Sequence, residues 1–223
     1  MIIAEQKGID EILDSLRGYK RIVIASCGTC VTVCLSGGEK EALALRGLLL
    51  AGAGELRREL GVTVVNCKRQ CDDEFLDDLE PELLDGDAIL SMGCGVGVQF
   101  LAEKYRDKPV IPALNTCFYG AAKELGYWVE YCQGCGNCLL EKTGGVCPVA
   151  RCSKSIFNGP CGGSQNGKCE IDPDTDCAWQ LIYEKLKAFG RLDRLTEIFA
   201  PRDWSTSRDG GPRSIRREDI NIE

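Results

Sequence analysis

The sequence predicts an α/β protein: a Rossmann-like or flavodoxin-like parallel-sheet domain over residues 1–128, a cysteine-rich, metal-organised annex over residues 129–178, and a C-terminal helix and tail over residues 179–223. Three observations carry that prediction. Apolar runs of strand length alternate with helix-forming segments through the first half, the pattern of a parallel sheet covered on both faces. Eight of the fifteen cysteines crowd between Cys132 and Cys177, among glycines and prolines and with little apolar periodicity. A stripe at helical spacing then follows: Trp179, Ile182, Tyr183, Leu186 and Phe189.

Each element has its own signal. Ile22–Ala25 is a continuous apolar run after Lys20 and Arg21 and reads as a buried strand. Residues 38 to about 60 are rich in Ala, Leu, Glu and Arg and read as helix. Val62–Val65 is β-branched and reads as the second strand. A broken acidic helix is expected around Glu74–Leu84, and a third strand over Asp87–Met92. Val98–Tyr105 reads as a short helix. Val110 and Ile111 form a fourth strand, which Pro109 and Pro112 place at a sheet edge. The run Asp172–Asp176 starts the C-terminal helix, since Asp and Pro favour helix N-termini.

Bulk properties narrow the function. The chain carries a formal net charge of −7, which argues against nucleic acid as the main partner. No stretch approaches the ~20 apolar residues that span a bilayer, so no membrane insertion is expected. Residues 1–8 carry charge where a signal peptide has its apolar stretch. The cysteine count is odd, and dense disulfides suit small secreted domains. A cytoplasmic protein with reduced thiols is therefore expected. Histidine is absent, which leaves all-thiolate sites: iron–sulfur clusters, or zinc held by four cysteines.

Several cysteines follow strands. Cys27 follows the first, Cys67 and Cys71 the second, Cys94 the third and Cys117 the fourth. In an open parallel sheet the C-terminal strand ends line the ligand crevice. A cluster is expected there on Cys27, Cys30, Cys71 and Cys94, with Cys34 in reserve. Cys67 and Cys117 sit nearest the strand bodies and read as small core residues. Gly93, Gly95 and Gly97 do not make a dinucleotide fingerprint, because Val98 stands where its third glycine belongs. Those glycines instead allow close backbone approach at Cys94.

In the annex, Cys132-x2-Cys135-x2-Cys138 has the spacing of a [4Fe–4S] loop, whereas zinc sites usually bring cysteines as two separated pairs. Cys147 precedes Pro148, as the last cysteine of ferredoxin runs does, and could serve this centre or a second one. Cys152, Cys161, Cys169 and Cys177 suit a second cluster or a structural zinc equally. Lys142 and Lys154 are candidates for damping cluster charge, although lysines are usually plain surface. With no histidine, and no Ser or Cys beside a plausible base, hydrolysis has no support.

Cys132–Cys138, the Gly145–Cys152 segment, Asn158–Gly163 and Cys177-Ala-Trp179 resemble the methylenetetrahydrofolate reductase C-terminal domain family. Cys27–Cys30, Gly37–Glu39 and Gly93–Gly97 add to the resemblance, which runs over roughly residues 1–205. It implies a small iron–sulfur subunit of the kind that accompanies the flavin-bearing reductase subunit of acetogenic bacteria. Such a subunit would carry two or three [4Fe–4S] clusters, with zinc an option at one site, and no flavin of its own. It would pass electrons to the partner's flavin, which reduces methylene- to methyl-tetrahydrofolate in the methyl branch of the acetyl-CoA pathway. The upstream donor would be ferredoxin, an NADH-oxidising subunit or a heterodisulfide-reductase-like module. The catalytic barrel and folate site would belong to the partner, so the isolated chain should not reduce folate.

Two rivals stand beside that reading. One is a zinc scaffold without a redox role. The other is an enzyme in its own right, using a cluster with one open iron. The tail from Pro201 is polar, with Arg202, Arg208, Arg213, Arg216 and Arg217 among acids. It reads as a disordered end, against an arm that orders on a partner subunit.

Overall fold

A computed structural model describes residues 1–217 and Asp219. The chain divides into two compact units, Met1–Val129 and Glu130–Glu223.

The first unit runs β1 (Ile2–Gln6), α1 (Ile9–Ser15), β2 (Arg21–Cys27), α2 (Cys30–Val33), α3 (Glu39–Glu55), β3 (Gly61–Cys67), α4 (Glu80–Leu84), β4 (Ala88–Ser91), α5 (Gly95–Lys104), β5 (Val110–Pro112) and β6 (Leu114–Glu124). The chain leaves it within β7 (Tyr127–Cys132). Strands β2, β3, β4 and β5 form one parallel sheet in the order β3-β2-β4-β5. The predicted edge strand, β5, is at the edge.

The alternation of side chains along β2 explains why both faces are covered. Ile22 and Ile24 enter a core with Ile12 and Leu16 of α1 and with Leu45 and Leu49 of α3. Val23 and Ala25 enter a second core with Leu83 of α4 and Leu101 of α5. Each fully buried Leu or Ile contributes roughly 1.5–3 kcal/mol relative to exposure. The acidic segment after β3 is broken as expected, with single turns at Asp73–Phe75 and Asp77–Leu79 before α4.

A second sheet, in the order β1-β6-β7, departs from the sequence reading. β1 pairs antiparallel with β6, from Ile2 opposite Tyr119 to Gln6 opposite Leu114. Leu125 and Gly126 alone separate β6 from β7, and Gly126 has a φ of 85°, as a two-residue hairpin requires. Cys117 therefore lies within β6 and is exposed, not a core residue at the end of a parallel strand.

The second unit contains α6 (Pro148–Arg151) and α7 (Ala178–Ala188). Trp179, Ile182 and Leu186 of α7 are buried with Val146 and Cys177, while Tyr183 and Phe189 of the predicted stripe face solvent. This helix thus gives the cysteine-rich region a small apolar core of its own. The sequence reading of a metal-organised annex did not place this core there. Among the described residues, no helix is long and apolar enough to cross a membrane.

Candidate metal centres

The ends of the parallel strands hold a cluster of thiols. Cys27 and Cys67 are the last residues of β2 and β3, paired in register and both buried. Cys30 opens α2, and Cys94 is the extended residue that caps α5. Burial pushes the Cys67 thiol up to about 12, and the neighbouring Cys27 adds to the effect. Burial also raises Cys71, followed by the nearby thiols Cys94 and Cys27. Cys27, Cys71 and Cys94 therefore share one electrostatic neighbourhood, with Cys67 behind it as the core residue the sequence suggested. Cys34 sits elsewhere: its Sγ is buried 3.1 Å from Ser36 Oγ and 3.7 Å from the Ala4 carbonyl of β1.

Gln70, unremarked in the sequence, sets the loops of this neighbourhood. It is wholly buried. Its Nε2 donates to the Ala25 and Ser26 carbonyls of β2 at 2.8 and 2.9 Å. Its Oε1 accepts from Ser91 Oγ of β4 at 2.6 Å, and Ser91 Oγ accepts from the Gly93 N–H at 3.1 Å. One side chain thus ties the end of β2 to the end of β4, beside Cys71 in sequence. A Cβ on Gly93 would lie 2.2 Å from Gln70 Oε1, and one on Gly97 would lie 2.9 Å from Gln70 Cβ. The close approach expected near Cys94 is real, and its counterpart is this glutamine.

The second unit sorts its eight cysteines into two groups of four. Cys132, Cys135, Cys138 and Cys147 line one cavity of about 200 Å³, with Arg202 beside them. Cys152, Cys161, Cys169 and Cys177 line another of about 20 Å³. Spacing left open whether Cys147 goes with the triplet; in the structure it lines the same cavity.

Local sequence explains both groups. Gly136 has a φ of 81°, and a Cβ there would lie 2.3 Å from the Thr206 carbonyl of the tail. The loop can turn between Cys135 and Cys138 only because this residue is glycine. Cys147 is the extended residue before α6, and Pro148 supplies the pre-set φ of a first helical turn. In the smaller site, Asn166 and Gly167 take φ of 52° and 80°, and Gln165 and Lys168 exchange backbone hydrogen bonds of 2.9 and 3.1 Å. This two-residue hairpin delivers Cys169, and its Asn-Gly signature was legible in the sequence. Cys177 is the extended residue that caps α7.

The charges differ between the two sites. Ser153 Oγ, 3.5 Å away, and then the Ile171 N–H hold the Cys169 thiol below its ordinary range. Lys154 pairs with Glu170, lies near Cys161 and Cys169, and is held charged above its usual range chiefly by that carboxylate. Cys161 Sγ lies 3.4 Å from Glu170 Oε1. Lys142 instead lies 5.2 Å from the Phe199 ring centre, away from both cysteine groups.

The tail is ordered on the larger site. Arg202 Nη2 donates to Cys135 Sγ at 2.9 Å and to the Asn137 carbonyl. Thr206 Oγ1 donates to the Cys135 carbonyl at 3.0 Å, and Arg213 Nη1 to the Gly134 carbonyl at 2.7 Å. Through Arg213 the tail is therefore neither a disordered end nor a free arm. Glu218 and residues 220–223 of the predicted docking tail lie outside the described residues.

Among the described residues, no three His, Cys, Asp or Glu side chains stand ready to hold a metal ion. The fit to metal rests on other observations. Two separate cavities are each lined by four thiols and no histidine. In the larger one, Arg202 Nε and Nη1 are buried without a partner among the described residues, as donors to an inorganic sulfide would be.

No curated protein and no solved structure matches the chain. Residues 111–205, which include both groups of four cysteines, match the family described as "Methylene-tetrahydrofolate reductase C terminal" and give this region its link to that reductase.

Proposed function

We propose that this chain is an electron-transfer subunit of a methylenetetrahydrofolate reductase assembly. The observation that carries the reading is the gathering of Cys132, Cys135, Cys138 and Cys147 around one cavity of about 200 Å³. A cavity of about 20 Å³ admits little more than one water-sized sphere. The larger site has room for a cuboidal four-iron core and the smaller one for a single ion. On this reading Cys152, Cys161, Cys169 and Cys177 hold zinc, and the first four hold a [4Fe–4S] cluster. Cys27, Cys30, Cys71 and Cys94 hold a further cluster at the strand ends, in a doubly wound, Rossmann-like sheet.

A bound [4Fe–4S] cluster supplies transfer of single electrons. The chain's residues hold the thiolates, shield one side from water and set the local charge. Electrons come from a low-potential iron–sulfur or flavin donor. They would leave to a flavin on the partner subunit, which would supply a hydride to the methylene carbon as its bond to N10 breaks and N10 takes a proton, giving methyl-tetrahydrofolate. The family link of residues 111–205 supports the choice of reductase.

The test is the metal and acid-labile sulfide content of protein purified without oxygen. About four irons and four sulfides per cluster are expected, with one zinc that is lost when Cys169 and Cys177 are replaced by serine. Zinc alone, without sulfide, would leave a structural scaffold and end the redox reading.

A further inference from the structure

Arg202 is the residue whose placement the cysteine pattern does not explain. It comes from the C-terminal tail, 67 residues from Cys135, yet its Nη2 lies 2.9 Å from the Cys135 sulfur. Its guanidinium carbon is 5.6 Å from the Phe157 ring centre and 5.1 Å from that of Trp204. Those two rings pack edge to face, 5.6 Å apart. Among the described residues Nε and Nη1 are buried without a hydrogen-bond partner, and the residue lines the cavity of the four cysteines.

A desolvated cation is costly unless negative charge is near. Arginine keeps its charge at every accessible pH and stacks well on aromatic faces. Its partners among the described residues are a sulfur, carbonyl oxygens and two rings. The negative charge that would satisfy the remaining donors is the one a thiolate-ligated cluster brings.

We infer that Arg202 tunes the charge of the centre held by Cys132, Cys135, Cys138 and Cys147, donating from the ordered tail to the Cys135 sulfur and biasing the centre toward its reduced state. It is a positioning residue, since it acts through a ligand. The inference rests on the cluster reading proposed above. Reduction adds one electron and makes or breaks no bond, so negative charge rises by one beside the guanidinium. Hydrogen bonds to sulfur and nearby cations favour that state and raise the potential.

The experiment is a mediated redox titration, with dithionite as reductant, followed by electron paramagnetic resonance on anaerobically purified full-length chains. Arg202→Gln should keep its iron and sulfide but titrate at lower potential. The expected reduced-to-oxidised ratio at fixed potential falls about tenfold, which is about 59 mV for a one-electron couple. Arg202→Lys, with charge but no fork, should fall between. Arg213→Gln cuts a tail anchor that touches a carbonyl and no sulfur, and should titrate like the wild type. An unshifted Arg202→Gln overturns the inference. So does an equal shift in Arg213→Gln, which would make the effect one of loop anchoring. If Arg202→Gln fails to load iron, an Arg202→Lys chain titrating like the wild type overturns it instead. Wild-type protein with zinc and no sulfide would refute the cluster reading itself, a result distinct from all of these.

Discussion

Replacing Gln70 by leucine removes the tie between β2 and β4 at nearly constant volume. Three hydrogen bonds are lost: two to the Ala25 and Ser26 carbonyls, one from Ser91 Oγ. The costs are unequal. The Ala25 carbonyl keeps the Met92 N–H at 2.8 Å, so it is not orphaned. The buried Ser91 hydroxyl loses its acceptor, and an unsatisfied buried donor costs about 1–3 kcal/mol. Adding about 1 kcal/mol for each carbonyl bond gives a total near 3–5 kcal/mol. For a unit of 129 residues that is a fall in Tm of roughly 10–20 °C. Calorimetry on wild-type and variant chains matched for metal content measures it, with hydrogen exchange in residues 21–27 to place the loss. Ser91→Ala in the Gln70→Leu background removes the orphaned hydroxyl but also the acceptor of the Gly93 N–H, so it should cost less there than it does alone. A fall under about 3 °C, or strictly additive single and double variants, would refute this account of Gln70.

Two further outcomes are expected. Asp87 Oδ2 accepts the Lys20 and Arg21 N–H groups at 2.9 Å each, and these bonds, Arg21 first, hold its carboxyl below the usual range. Its stabilisation is present above about pH 4 and is lost as pH falls through the lowered pKa, because the unfolded state then binds the extra proton first. Asp87→Ala should therefore be less stable than wild type near neutrality, with the gap in urea midpoints closing below about pH 3; a gap independent of pH would show that charge plays no part. In the metal-free chain, Cys67, with its pKa pushed up to about 12, should alkylate at pH 8 about a thousandfold more slowly than an ordinary thiol. Exposed Cys71 should label well before it, and simultaneous labelling in peptide mass spectra would contradict the burial of Cys67.

The parallel sheet was legible because its central strands, β2 and β4, bury both faces and so read as apolar runs. Ile22–Ala25 is the clearest case, with its odd and even residues in separate cores. β6 gave no such signal. Most of its eleven residues are exposed, and Lys123 and Glu124 end it. Its partner β1 lies more than a hundred residues away, from Ile2 to Tyr119, so no local window contains the pair. The cysteine groups were half legible. Spacing identified the triplet, because three thiols two residues apart share one turn of loop. Spacing could not say where Cys147 goes, since that depends on the entry into α6. Gln70 and Arg202 were invisible for a different reason. Each is an ordinary polar residue until the fold carries it to backbone carbonyls or to a sulfur distant in sequence.

On the proposed reading, the two cysteine groups of the second unit divide structural from electronic work by size and by charge. Four thiolates at about 2.3 Å from one ion need almost no cavity, and the 20 Å³ site offers almost none. Its lysine is tied to Glu170, so the cation near Cys161 and Cys169 is already half-neutralised. Cys169 and Cys177 are held by a hairpin and a helix N-terminus, which are fixed elements suited to a metal that never changes charge. The larger site is built of other parts. Its loop depends on Gly136 for shape and on Thr206 and Arg213 for anchorage, and its cation points at a sulfur instead of a carboxylate. A fixed guanidinium beside a ligand sulfur contributes little to a centre of constant charge, because it acts on both states alike. Its effect appears only in the difference between two charge states. On the proposed reading, Arg202 is therefore placed to favour the reduced state of the centre that Cys132, Cys135, Cys138 and Cys147 would hold.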